Sequence, residues 1–318
     1  MPAVPLHDSD PAADRQVAHD HDFTLTMTDV PVSDELLAIG GADAIDFAHA
    51  QFTSDVQSLA PGRWQWSAWL DPQGRTRHFF ALLRPEPMRL LVWLPLAGAA
   101  DMTTSLARFV MRLKVELRVL DGWTSSRHAG DALTGSAGSD ALLARDGGCV
   151  LTLPGPWPRI AVLTPRTSPG SDPSDHRHGR CADVLAGLPF LAPDLAGRFL
   201  PQTLDLERLD AIRFDKGCYP GQEIAARVHF RGGNKHRLVR LRLADGVAPV
   251  AGAQLLHAGH AVGTVLYGAP APDGTAELLC TLAQSIVEPA DLTVAPGHAV
   301  GAIRDGFRRS PDSEAPEA

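Results

Sequence analysis

Residues 213–233 read RFDKGCYPGQEIAARVHFRGG, and this stretch separates two kinds of sequence. Cys218 stands between Gly217 and Tyr219-Pro220-Gly221. Two glycines and a proline around one thiol predict a tight loop whose backbone can approach a ligand closely. Glu223 then opens a helix through Arg227. Lys216 and a following helix N-terminus are features that lower a thiol pKa. Cys218 is therefore a candidate reactive thiol, with a small core filler as the plainer reading. Between positions 208 and 242 stand nine Lys or Arg against three acids, in a chain of formal net charge −8. Such a cluster either gathers an anionic partner in one cleft or lines solvated strand edges.

Downstream the grammar changes. Short strands at 236–243, 254–257, 261–266 and 275–282 alternate with glycines and predict a small β-barrel over 236–306. Upstream, 23–235 mixes helix and strand. Helices are expected at 43–56, 102–113 and 183–188, with a short helical turn from Ser33. Asp101, Thr103 or Thr104 would cap the second helix. Strands are expected at 64–70, 77–83, 90–95, 115–120, 141–144, 149–153 and 160–163. Asp71-Pro72-Gln73-Gly74 turns the first two into a hairpin. Residues 167–180 (TSPGSDPSDHRHGR) read as a flexible polar loop. Residues 1–22 read as a disordered acidic tail and 307–318 as a frayed end.

All six tryptophans lie in the first half of the chain. Trp64 and Trp66 would share one face of a strand, with Trp69 on the other. They either wall an aromatic ligand or pack a sheet against helices.

Composition narrows the function classes. With 44% hydrophobic and 21% charged residues, the chain is an ordinary globular protein. The acidic balance disfavours a surface built to coat nucleic acid. No apolar run spans a bilayer, and the first residues lack secretory or organelle-targeting character, so the expected location is the cytoplasm. The four cysteines (149, 181, 218, 280) form no C-x-x-C pair, and Cys149 and Cys280 are expected in the core. His176, His178 and Cys181 form an H-x-H-x-x-C array, a weak metal signal in a polar loop.

Lys216-Gly217-Cys218-Tyr219-Pro220-Gly221-Gln222-Glu223 resembles the signature of the YgfZ family of folate-binding proteins. The flanks resemble it too: Pro201-Gln202 upstream, Arg227, Arg231 and Gly232 downstream. Earlier pieces follow in the same order, namely Gly41-x-Asp43-Ala44, Gln51 through Val56, Asp71 through Arg75, and Arg112-x-Lys114-Val115-Glu116. The resemblance covers about residues 30–300. It implies an α+β, aminomethyltransferase-like folate-binding domain followed by a small C-terminal β-barrel. It also implies tetrahydrofolate or a one-carbon derivative as cofactor, and a role supporting iron–sulfur enzymes with indirect effects on tRNA modification. Partners would be the folate and, transiently, iron–sulfur enzymes or their assembly proteins.

Cofactor contact is expected from Lys216, Tyr219, Gln222, Glu223, Arg227 and Arg231, with Trp64, Trp66 and Trp69 as wall candidates. The two arginines suit a glutamate tail. Gln222 and Glu223 would meet pterin donors or cap the helix. One departure matters. In the related aminomethyltransferases acids follow the hairpin turn, whereas Arg75 through Phe80 carries none. That points to an accessory factor over an aminomethyltransferase. A tetrahydrofolate-dependent one-carbon transferase and an RNA-binding module stand as alternatives.

Overall fold

The hairpin Asp71–Gly74 organises the first sheet. Gly74 has φ +75°, which closes the turn, and Gly74 N donates to Asp71 O at 2.9 Å. Around it run β1 (Glu35–Gly40), α1 (Ala44–Gln51), β2 (Arg63–Leu70), β3 (Thr76–Glu86), β4 (Arg89–Leu94), α2 (Ala99–Leu106) and β5 (Glu116–Val119). The five strands pair antiparallel in the order β2-β3-β4-β1-β5. Both faces of the sheet are buried, which explains its nearly continuous apolar strands. One face carries Trp64, Trp66, Phe79 and Trp93. The other carries Trp69, Phe80, Leu82 and Val92 and is covered by Ala44, Phe47, Met102 and Leu106 of α1 and α2.

A second antiparallel sheet, β6-β9-β8-β7, comprises β6 (Trp123–Ala129), β7 (Leu142–Arg145), β8 (Gly148–Leu153) and β9 (Arg159–Pro165). It is followed by α3 (Pro173–Leu185) and α4 (Gln222–Arg231). Six strands then close a barrel: β10 (His236–Leu243), β11 (Gln254–His257), β12 (His260–Pro270), β13 (Ala276–Ala283), β14 (Leu292–Val294) and β15 (His298–Arg304). Alternation along these strands builds two cores at once. Val239, Leu241, Leu278 and Cys280 fill the barrel. Leu238, Leu279, Leu266 and Tyr267 point outward and join the core of the α+β region. A register shift between Val265 and Tyr267 lets Leu266 and Tyr267 both face outward. Tyr267 then donates its hydroxyl to Leu188 O at 2.6 Å, tying barrel to domain.

This computed structural model describes residues 34–130, 140–145, 147–165, 173–287, 292–294, 297–304 and 307, with backbone only at 145, 173–178, 298, 302 and 304. The expected acidic tail lies outside the described residues, as do 308–318 of the expected frayed end.

Several local expectations are corrected. The turn expected from Ser33 is replaced from Glu35 by β1. The helix expected over 102–113 starts at Ala99 and passes into a 3₁₀ turn at 107–109, leaving Phe109 and Leu113 exposed. Its cap comes from another element: Glu35 Oε2 accepts from the Gly98 and Ala99 N–H groups at 3.0 and 2.8 Å. Thr103 and Thr104 instead donate back to Ala99 O and Ala100 O.

The second half of the polar loop at 167–180 is helix, continuous with the one expected at 183–188. Its interior is charged. Asp183 binds Arg159 at 2.6 Å and Arg127 at 2.9 Å, and Asp34 binds Arg127 at 3.0 Å and Arg180 at 2.6 Å. Gly179 makes room, because a Cβ there would meet Arg127 Cδ at 2.6 Å. Phe307, expected to begin the frayed end, packs on the core beneath the Arg208 guanidinium, 4.9 Å from the ring.

Candidate functional site

The loop before α4 is held from two sides. Lys216 Nζ donates to His49 O at 2.6 Å, Phe52 O at 2.7 Å and Ser54 O at 2.9 Å. These carbonyls lie at and just past the end of α1, where carbonyls are unpaired and the helix dipole is negative. Burial pushes the ammonium down to about 8, while the three acceptors favour its charged form. Lys216 thus clamps the loop to α1, and its donors are directed at carbonyls.

On the other side, Gly221 (φ +75°) meets the hairpin. A Cβ at 221 would lie 2.3 Å from Asp71 O, and one at Gly74 would lie 2.9 Å from Ile224 Cβ. No other residue type fits either position without displacing backbone or its packed neighbour. Tyr219 is buried and donates its hydroxyl to Arg213 O at 2.9 Å. Burial pushes its phenol well up.

Held this way, Cys218 is exposed while Cys149, Cys181 and Cys280 are buried, the outer two as expected. Burial pushes the Cys149 and Cys181 thiols up to about 11. The core-filler reading of Cys218 is thereby set aside. His49, which the sequence did not single out, lies beside this loop: its Nε2 is 3.4 Å from where a Cβ of Gly217 would sit. Its Nδ1 is 3.3 Å from Asp55. Burial and the Lys216 charge lower its pKa, so the ring is neutral near pH 7. The only sequence signal for His49 was its place in the Gln51–Val56 neighbourhood.

The other sequence-derived candidates do not gather around Cys218. Gln222 opens α4 without a side-chain capping bond, and Glu223 is exposed in its first turn, where a carboxylate complements the dipole. Arg227 and Arg231 are exposed further along α4. Trp64 and Trp66 touch at 5.0 Å edge to face, and Trp66 stacks on Phe79 at 5.1 Å. Trp69 faces the opposite side of the sheet and stacks on His78. Cys181 is buried on α3, whereas the His176 and His178 side chains lie outside the described residues. Positions 176 and 178 are two apart on a helix, a spacing that does not share a face.

The basic cluster is also divided. Arg208, Arg213, Arg240 and Arg242 pair with Asp205, Asp215, Glu277 and Glu277. Lys216 and Arg237 reach backbone carbonyls. A cavity of about 500 Å³ opens elsewhere, between the two sheets, lined by Leu91, Trp123, Leu142 and Cys149 with Glu86 and Arg89 at its edge.

No protein-family model matches the chain. It is 29% identical over 205 residues to an uncharacterized protein of Haemophilus influenzae, spanning 64% of this chain and 69% of that one. It is 27% identical over 284 residues to the tRNA-modifying protein YgfZ of Sodalis glossinidius, spanning 79% and 83%. A shorter match to the tRNA-modifying protein YgfZ of Serratia proteamaculans is 41% identical over 106 residues, 32% of each chain. The crystal structure of glycine cleavage system aminomethyltransferase T from Bartonella henselae superposes with a TM-score of 0.63. At 14% identity, over 86% of this chain and 82% of that one, it shows the fold alone. Together with the interlocked cysteine loop and hairpin, these likenesses support assignment to the YgfZ family, and the fold is like that of the aminomethyltransferase.

Proposed function

We propose that this protein binds tetrahydrofolate or a one-carbon derivative and acts as an accessory factor for iron–sulfur enzymes, with indirect effects on tRNA thiomethylation. The observation that carries this reading is the exposed thiol of Cys218 on a loop fixed at both ends. The cavity between the two sheets does not include Cys218. A thiol so placed meets a partner's surface more readily than an enclosed substrate. The cavity of about 500 Å³ has the size of small-molecule sites and an apolar wall suited to a flat pterin ring. Arg227 and Arg231, exposed on α4, remain the proposed contacts for folate carboxylates or for an acidic partner.

Aminomethyl transfer has less support. Asp101 reaches β3, but it is held by Arg77 at 2.9 Å and His78 at 3.3 Å. RNA binding has less support because the basic cluster is largely paired or bound to carbonyls. No helix among the described residues is long and apolar enough to cross a membrane, and the proposed location is the cytoplasm.

Anaerobic calorimetry with tetrahydrofolate and its one-carbon forms tests the reading on the intact chain, Cys218→Ala and Arg227→Ala. Saturable binding retained in Cys218→Ala is expected. Loss confined to Arg227→Ala would assign that arginine to the ligand. Absence of saturable binding to folded protein would overturn folate recognition.

A further inference from the structure

A second cavity, of about 430 Å³, lies where the α+β region meets the barrel. Its walls come from the hairpin (Arg75), the segment before α4 (Arg198, Phe199, Thr203), the α4–β10 connection (Asn234, Lys235, His236) and strands β11, β12 and β13 (Gln254, Thr264, Thr281). The lining contains three permanent cations and no carboxylate. This is unusual in a chain of net charge −8, whose neighbouring arginines are mostly paired. Among the described residues, Arg75, Arg198 and Lys235 make no ion pair. Asp71, the acid beside the hairpin, accepts from the Arg75 backbone N–H at 2.8 Å.

The side chains are set for a guest. Arg75 Nη1 donates to Arg198 O at 2.7 Å, which fixes one guanidinium at the rim. Asn234 Oδ1 accepts from Thr203 Oγ1 at 2.8 Å and from the His236 N–H at 3.4 Å, leaving the amide nitrogen as a donor. Gly232 and Gly233 both have positive φ (73° and 103°), so the chain turns sharply out of α4 to place these residues on the wall.

We propose that this cleft is a second ligand site, for a phosphorylated small molecule carrying at least two negative charges. Cations, hydroxyls and an amide arrive from separate elements and therefore from separate directions. A tetrahedral phosphate offers oxygens to donors so dispersed, whereas a planar carboxylate is best met by a single fork. Phe199, Leu200 and Val262 supply apolar surface for the organic part of the molecule. The site would join hairpin, α4 connection and barrel, so its occupancy would stiffen the junction between the two parts.

Calorimetry on the full chain with pyrophosphate, a nucleoside diphosphate and tri-γ-glutamate tests this independently of folate binding. Arg198 and Lys235 are exposed, so Arg198→Gln/Lys235→Gln should fold normally, with circular dichroism as the check. Saturable pyrophosphate binding, weakened at least tenfold in the double variant and unchanged in the distant charge control Arg118→Gln, is the expected result. Tighter nucleoside diphosphate binding would support the apolar subsite as well. No saturable phosphate binding, binding equal in the double variant, or preference for tri-γ-glutamate would each overturn the proposal.

Discussion

Two regions of this molecule are dense in chemically capable side chains, and they use them oppositely. The Asp34–Arg127–Asp183–Arg159–Arg180 network is buried, charged and structural. The Cys218 loop is exposed, and its backbone is fixed by glycines and one clamping lysine. In the first region the reactive-looking groups hold β6, β9 and α3 together. In the second, groups that look merely conformational hold one thiol in the open. Ionisable residues alone therefore do not mark a functional site here. What distinguishes the two is exposure: Arg127, Arg159 and Asp183 are buried, and the Cys218 thiol is not.

The comparison breaks most visibly at Asp183, whose side chain is fully buried between Arg127 and Arg159. Asp183→Ala leaves two buried guanidiniums without their carboxylate and should cost about 3–5 kcal/mol in urea unfolding. Acid should act on the same network through Asp34. Burial alone would raise this carboxyl, but Arg127 and Arg180, with hydrogen bonds from Ser125 and Trp93, hold it below its ordinary value. A depressed carboxylate contributes fully above its unfolded pKa of about 4 and loses that contribution as pH falls through the folded value. Urea midpoints measured from pH 7 down to pH 3 should therefore fall less steeply in Asp34→Asn than in the native chain, from a lower starting point.

The second region has its own structural weak points. Gly221→Ala puts a Cβ against the Asp71 carbonyl at a positive φ, with an expected cost of about 1–3 kcal/mol. Lys216→Met removes three hydrogen bonds and exposes α1's terminal carbonyls, again at about 1–3 kcal/mol. If the loop is held as described, Gly221→Ala should also change the reaction rate of Cys218 toward a thiol reagent, whereas Asp183→Ala, under conditions where it stays folded, should not.

These regions also differ in how much could be read from sequence. The loop was legible because its signals are local: glycines, a proline and a thiol within eight residues. The barrel strand β10 was legible because it sends Leu238 to one core and Val239, Leu241 and Leu243 to another. The network was not. Strand β6 reads WTSSRHA, and its buried residues Ser125 and Arg127 are polar, so no apolar alternation marks the strand. Helix α3 hid in a Pro-, Ser- and Asp-rich stretch because Gly179 serves to admit Arg127. The Glu35 cap of α2 comes from 63 residues away. His49 belongs to the candidate site only through the fold that brings α1 to Gly217. The basic cluster, read as one feature, dissolves because Arg208 and Arg213 pair with acids two or three residues away, while Arg240 and Arg242 pair with Glu277 on another strand.

Cys218→Ser sharpens the comparison with the smallest effect on stability. An exposed side chain that joins no packed cluster should change unfolding free energy by less than about 0.5 kcal/mol. The same substitution should abolish the fast phase of thiol titration in the folded chain, because Cys149, Cys181 and Cys280 are buried and the first two are pushed up to about 11. One fast thiol per native chain, none in Cys218→Ser, and three slow ones released on unfolding would fit the structure. A stability loss comparable to Gly221→Ala would place Cys218 among the packing residues of the loop. Its exposure would then no longer separate it from the buried network, and the accessory reading would lose the observation that carries it.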